Sequence, residues 1–178
     1  MNARRIWLII PALLMPYIIV TLLVIMIFAT DMLDDGRMLY VIAGLFGYTV
    51  IASVLNLIYF FVAIIKKWDV LSLAKTAMVM KLIQIPAYIG IFVFGAAAMI
   101  TIISMPLAIV LAEIDFLMLV MSGSSIIAAS ITMFRRQEIS FWVVCGMVLS
   151  QFVFCVDVVM AIAFYVRLKR ARENKYRR

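Results

Sequence analysis

Apolar residues along this chain neither alternate nor recur on one helical face; they run in blocks. Five blocks can be read, at 6–29, 38–65, 82–104, 107–134 and 139–166. Each exceeds the ~20 residues that carry a helix across a bilayer. Such blocks predict helices, because hydrocarbon offers no partner to an unpaired backbone N–H or C=O. The pattern predicts an all-α, polytopic transmembrane helix bundle: a single integral membrane domain over 1–178, with a basic juxtamembrane tail at 167–178. Five membrane-embedded segments are expected, with four crossing spans as the alternative. Three blocks are 28 residues long, about 42 Å as helix against a ~30 Å core, so they must tilt, kink or emerge.

The breaks between blocks carry the punctuation. Pro11 and Pro16 predict kinks in the first block. That block is too long for a signal-peptide core, and no small-x-small cleavage site follows it. An Asp-rich loop follows, with Asp31, Asp34, Asp35, Gly36 and Arg37. Lys66-Lys67-Trp68 reads as an interface anchor, and residues 68–81 as an interfacial amphipathic stretch leading into the third block. Residues 82–112 carry no charge, and Met105-Pro106 is the place for that run to turn.

Composition agrees. Of 178 residues, 68% are hydrophobic and 14% charged, with mean hydropathy +1.21; soluble domains carry about a quarter charged. With no histidine, imidazole acid–base chemistry and His metal sites are excluded. Cys145 and Cys155, ten residues apart on one helix, would lie about 15 Å apart, too far for a disulfide. No phosphate-binding loop, dinucleotide fingerprint or nucleophile elbow occurs. Neither a cofactor nor a metal is expected, and no enzyme activity. The 14 methionines are too scattered for a copper path.

Net charge is +7. The cations flank apolar blocks, so anionic lipid head groups, not nucleic acid, are the expected partner. Lys66, Lys67, Arg167, Lys169 and Arg170 are the expected head-group contacts. Five spans divide the Lys and Arg residues eight against eight, and the positive-inside rule is then silent. The tie is similar to that of dual-topology small multidrug transporters. An even number of spans leaves Arg37 alone on one side, but requires the last block to enter and leave on the same side. The dense tail favours a cytoplasmic C-terminus.

Ionisable residues inside apolar blocks are the candidate chemistry. In antiparallel neighbours, Asp115 and Asp157 fall about 12–14 Å from the same membrane face, with Glu113 close by. No cation in either block is nearer to Asp157 than Arg167, so the two carboxylates are expected to carry a proton between them. On a continuous helix Gly146, Ser150, Val153, Asp157 and Phe164 share one stripe, in which Gly146 and Ser150 form a small-x-x-x-small pair. Asp157 thus reads as protein-facing: either a proton or cation site with Asp115 or Glu113, or a helix lock. Lys81 is expected to snorkel to head groups, beside Gln84 on the same face. Asn56 and Gln151 are expected to form interhelical hydrogen bonds. Ser124/Ala128, Ser125/Ala129 and Ala43/Gly47 read as packing pairs, with a hydroxyl-lined path as the alternative in the fourth block. An intramembrane aspartyl protease would need Gly-Asp; Ile114 and Val156 stand there instead.

Lys81-Leu-Ile-Gln-Ile-Pro86-Ala-Tyr88, Phe92-Val-Phe-Gly95 and Gln151-Phe-Val-Phe-Cys155-Val-Asp157 resemble motifs of an uncharacterised family of small multi-spanning membrane proteins from Gram-positive bacteria. The resemblance covers roughly half the chain. It implies a bacterial cytoplasmic membrane location and no assigned activity. Two functions compete: a small oligomeric transporter or channel subunit for a proton, cation or small solute, and a non-transporting accessory or regulatory protein docking a partner through small-residue faces. A homo-oligomer or a membrane partner protein is expected in either case.

Overall fold

A computed structural model describes residues 3–28, 35–100, 105–153 and 156–177. Among these residues the architecture is entirely helical. In order come α1 (Ala3–Phe28), α2 (Asp35–Ile65), α3 (Val70–Met99), α4 (Met105–Arg135), α5 (Phe141–Ser150) and α6 (Val156–Arg177). Four helices are long and apolar enough to cross a membrane, over Trp7–Ile25, Ala43–Ile65, Val70–Ala97 and Leu111–Arg135. Their outer faces are apolar: on α2, Phe46, Ile51, Leu57, Phe61 and Ile65 are all more than half exposed. A soluble bundle would place polar residues there. The bundle is an integral membrane protein.

Side-chain contacts fix the direction of each helix. Gln84 meets Ala12, and the Val20 side chain lies beside Gly90, so α1 and α3 run parallel. Asn56 reaches Met121, and Tyr59 meets Ser125, so α2 and α4 run parallel. Lys81 meets Ser122, and α3 opposes α4. The short α5 then retraces α4: Phe141 packs on Phe134, Met147 on Ser130, and Gln151 on Gly123. α6 retraces α3, from Asp157 at Lys81 to Arg172 at Asp69. The chain therefore enters the bundle along α5, turns at about mid-depth, and returns along α6 to the end it left.

This corrects the reading of 139–166 as one segment. The helix stops at Ser150, and Gln151, Phe152 and Val153 form a turn before α6 begins. Gln151 donates from Nε2 to the Met147 carbonyl at 3.3 Å and to Ser150 Oγ at 3.2 Å. It closes the last turn of α5 and forms no interhelical hydrogen bond among the described residues. The continuous stripe through Gly146 and Asp157 is broken with the helix. Cys155 lies outside the described residues, and with it the cysteine-pair expectation.

Other boundaries also move. Residues 70–81 are not interfacial: they begin α3, and Val70, Leu73, Ala74, Ala77 and Met80 are buried. Asp69 caps this helix, accepting from the Ser72 backbone N–H at 3.1 Å. Trp68 turns inward, packing edge-on against Tyr59 at 5.3 Å between ring centroids. α2 and α4 both end in a Schellman turn: Trp68 N–H bonds Ala63 C=O, and Glu138 N–H bonds Met133 C=O. The left-handed residues in these turns are Lys67 (φ 48°) and Gln137 (φ 59°). The expected turn at Met105-Pro106 becomes the start of α4, where proline costs no helical donor.

A proline of α1 explains one tie between helices. Pro16 has no N–H to offer the Ala12 carbonyl four residues back. The buried Gln84 supplies the donor, Nε2 to Ala12 O at 3.0 Å. Two tyrosines add further ties: Tyr48 Oη donates to the Pro11 carbonyl at 2.7 Å, and Tyr17 Oη to the Ile83 carbonyl on α3.

Candidate functional site

Lys81 is fully buried, correcting the expectation that it snorkels to the surface. Its Nζ lies 2.5 Å from Asp157 Oδ2, with the side chains 0% and 2% exposed. Nζ also donates to Ser122 Oγ at 3.2 Å, and Ser122 Oγ in turn to the Leu119 carbonyl at 3.2 Å. Three helices thus supply one ionic cluster: α3 the cation, α6 the carboxylate, α4 the hydroxyl. Its depth follows from the helix rise. Lys81 is eleven residues into α3, about 17 Å along it, and Ser122 is about 20 Å from the end of α4. Against a ~30 Å core the cluster sits near the middle.

Desolvating two charges costs several kcal/mol per ion unless geometry and further hydrogen bonds offset it. Here the contact is short and Ser122 takes a second ammonium proton. Asp157 is also in the first turn of α6, where the helix dipole favours negative charge. The break between α5 and α6 therefore does two things. It brings a helix N-terminus to mid-depth, and it aims a carboxylate from that end at Lys81.

Around this pair stand further polar groups. Asp115 is partly buried and lies within electrostatic reach of Asp157. Tyr88 is buried and donates to Gln84 Oε1 at 3.5 Å. A pocket of about 300 Å³ opens beside Asp157, between Tyr88, Ile89, Leu119 and Val159. Two buried acceptor oxygens, Asp115 Oδ1 and Gln151 Oε1, have no hydrogen-bond donor among the described residues. Buried oxygens are usually satisfied, so these two stand out among the described residues.

Of the residues singled out from sequence, Asp157 and Asp115 come to one neighbourhood, while Glu113 is exposed and apart from the cluster. Lys66, Lys67, Arg167, Lys169 and Arg170 are all exposed, the first two just past the end of α2 and the other three in the distal half of α6. Lys81 is the member of the buried cluster that the sequence places elsewhere. It stands at the edge of the third block, at the end of the stretch 68–81 that reads as interfacial.

The small-residue pairs divide. Ser124, Ser125, Ala128 and Ala129 are buried in the α4 core, as packing requires. Ala43 and Gly146 are exposed, and neither Gly47 nor Gly146 has anything within 4 Å of an added Cβ, so these two pairs mark no close contact here. The close approach is at Gly123, where an added Cβ would stand 3.1 Å from Gln151 Cβ. Asn56 meets expectation, donating from Nδ2 to the Met121 carbonyl at 3.1 Å across helices.

These features define the class: a helical integral membrane protein with a buried ionic cluster at mid-depth. No family model, curated protein or solved structure matches the chain.

Proposed function

We propose that the protein is a small transporter or channel subunit of the bacterial cytoplasmic membrane, moving a proton or small cation through the Lys81–Asp157–Asp115 cluster. The carrying observation is the buried Lys81–Asp157 pair at the tip of a broken helix, with Asp115 in electrostatic reach of it and Asp115 Oδ1 without a donor among the described residues. Discontinuous helices ending at mid-depth are a recurring way of building transport sites. Asp157 is compensated by Lys81, while Asp115 has an oxygen to offer an incoming proton or cation. Uptake there changes the field at the pair, and release restores it. The motif resemblance to Gram-positive membrane proteins fits this setting.

Proton flux into liposomes holding the purified protein tests the reading. Asp115→Asn keeps the Lys81–Asp157 pair and should fold normally, yet lower flux at least tenfold. Full flux in a folded Asp115→Asn protein removes Asp115 from the path. No flux from the unaltered protein, with either a pH gradient or a monovalent-cation gradient, removes the transport reading.

One observation favours the accessory reading. None of the ten residues of α5 is buried, and Phe141, Trp142 and Leu149 are more than half exposed. Such a helix offers a face to a second copy or a membrane partner. Photo-crosslinking from position 142 reads this directly, giving a protein adduct if a partner docks and lipid adducts alone if none does.

A further inference from the structure

We infer that the basic end of the bundle is a docking surface for the anionic phospholipid of one leaflet, assembled by the α5–α6 return and holding the protein in a single orientation. This goes beyond the transport reading and stands without it. Helix directions place the start of α1, the α2–α3 turn, the α4–α5 turn and the distal half of α6 at the same end. Among the described residues, every Lys and Arg except Arg37 and the buried Lys81 belongs to an element at that end. The Asp69–Arg172 contact, at 3.4 Å, is direct support, because it ties the tail helix to the cap of α3. A crossing fifth span would separate these two residues by the thickness of the membrane.

The same end contains a place for an individual lipid. A groove of about 450 Å³ runs between α1, α3 and α6. Its inner part is lined by Ile9, Leu13, Val79 and Met80, which suit an acyl chain. Its rim carries Lys75 with Ser72, which suit a phosphodiester. Lys75 is exposed and forms no ion pair among the described residues. Asp69, the acid at the rim, is already engaged by the Ser72 N–H and by Arg172. A basic pocket between helices at one membrane face is the usual form of an anionic-lipid site.

Two measurements test the proposal. The first uses single cysteines at Gln137, Asn174 and Ile100 in a Cys145→Ser, Cys155→Ser chain, labelled with a membrane-impermeant maleimide in intact bacteria and in inverted vesicles. Positions 137 and 174 should be protected in cells and labelled in vesicles, and position 100 the reverse. Labelling of 137 and 174 from opposite sides, or of each from both sides, overturns the inference. The second weighs lipid retained by the purified protein after exchange into micelles of equimolar phosphatidylglycerol and phosphatidylcholine. Phosphatidylglycerol should be retained preferentially, and the exposed-site substitution Lys75→Gln should lower that preference about fivefold. Equal retention of the two lipids, or a preference unchanged by Lys75→Gln, overturns the lipid site.

Discussion

At the scale of single residues, buried polar groups hold this bundle together, and two of them can be tested by coupling. Lys81→Met leaves Asp157 without its cation, and Asp157→Asn leaves Lys81 without its anion. Each should cost about 3–5 kcal/mol in unfolding of the detergent-solubilised protein. The Lys81→Met, Asp157→Leu pair should cost far less than the sum, because no uncompensated charge remains. Equal and additive costs would show that the two groups are not coupled. From sequence, Asp157→Asn looks like a mild change; the partner on α3 makes it severe. The second test concerns Gln84. Gln84→Leu strips the Ala12 carbonyl of the donor that Pro16 cannot give and should cost about 1–3 kcal/mol. With Pro16→Ala present, the helix supplies its own N–H, and the same substitution should cost much less. Asp157 was legible in the sequence because a carboxylate deep in an apolar block is expensive. Its partner was not, since Lys81 lies 76 positions away and a long cation near a block edge can reach either water or core.

At the scale of elements, four helices were legible because unbroken apolar length alone demands them. The α5–α6 break was not. No proline or glycine marks residues 151–155, and the apolar run continues through them. What stops the helix is tertiary: Gln151 against Gly123, and Asp157 drawn to Lys81. Small residues had the same ambiguity, since Gly146 and Gly123 look alike in the sequence. The structure separates them. Gly123→Ala places a Cβ 3.1 Å from Gln151 Cβ and 3.3 Å from its Cγ, so Gln151 must give way and the variant should be less stable than Gly146→Ala. Gly146→Ala meets nothing within 4 Å and should stabilise α5 by about 0.5–1 kcal/mol through helix propensity. Thermal unfolding of the two variants in one detergent compares them, and a Gly123→Ala protein as stable as Gly146→Ala would refute the placement of α5 against α4.

For the whole molecule, the return of α6 decides what the charge distribution means. Under five crossings the Lys and Arg residues are tied at eight a side, and removing tail charge should break the tie. Substituting Arg167, Lys169, Arg170 and Arg172 by Gln would leave eight against four, turning a mixed population into a single one. With α6 returning, the tail lies with the other clusters and Arg37 stands alone opposite. The same four substitutions then weaken a large asymmetry without reversing it. A cysteine at Gln137 should accordingly show one-sided labelling in the starting protein, with the same sidedness and the same labelled fraction after neutralisation. What the tail loses is attraction to the leaflet, about 1 kcal/mol for each cation near the surface. Retention of phosphatidylglycerol should therefore fall while orientation holds. A shift from two-sided to one-sided labelling would mean that the last block crosses the membrane, and that the Asp69–Arg172 contact does not form.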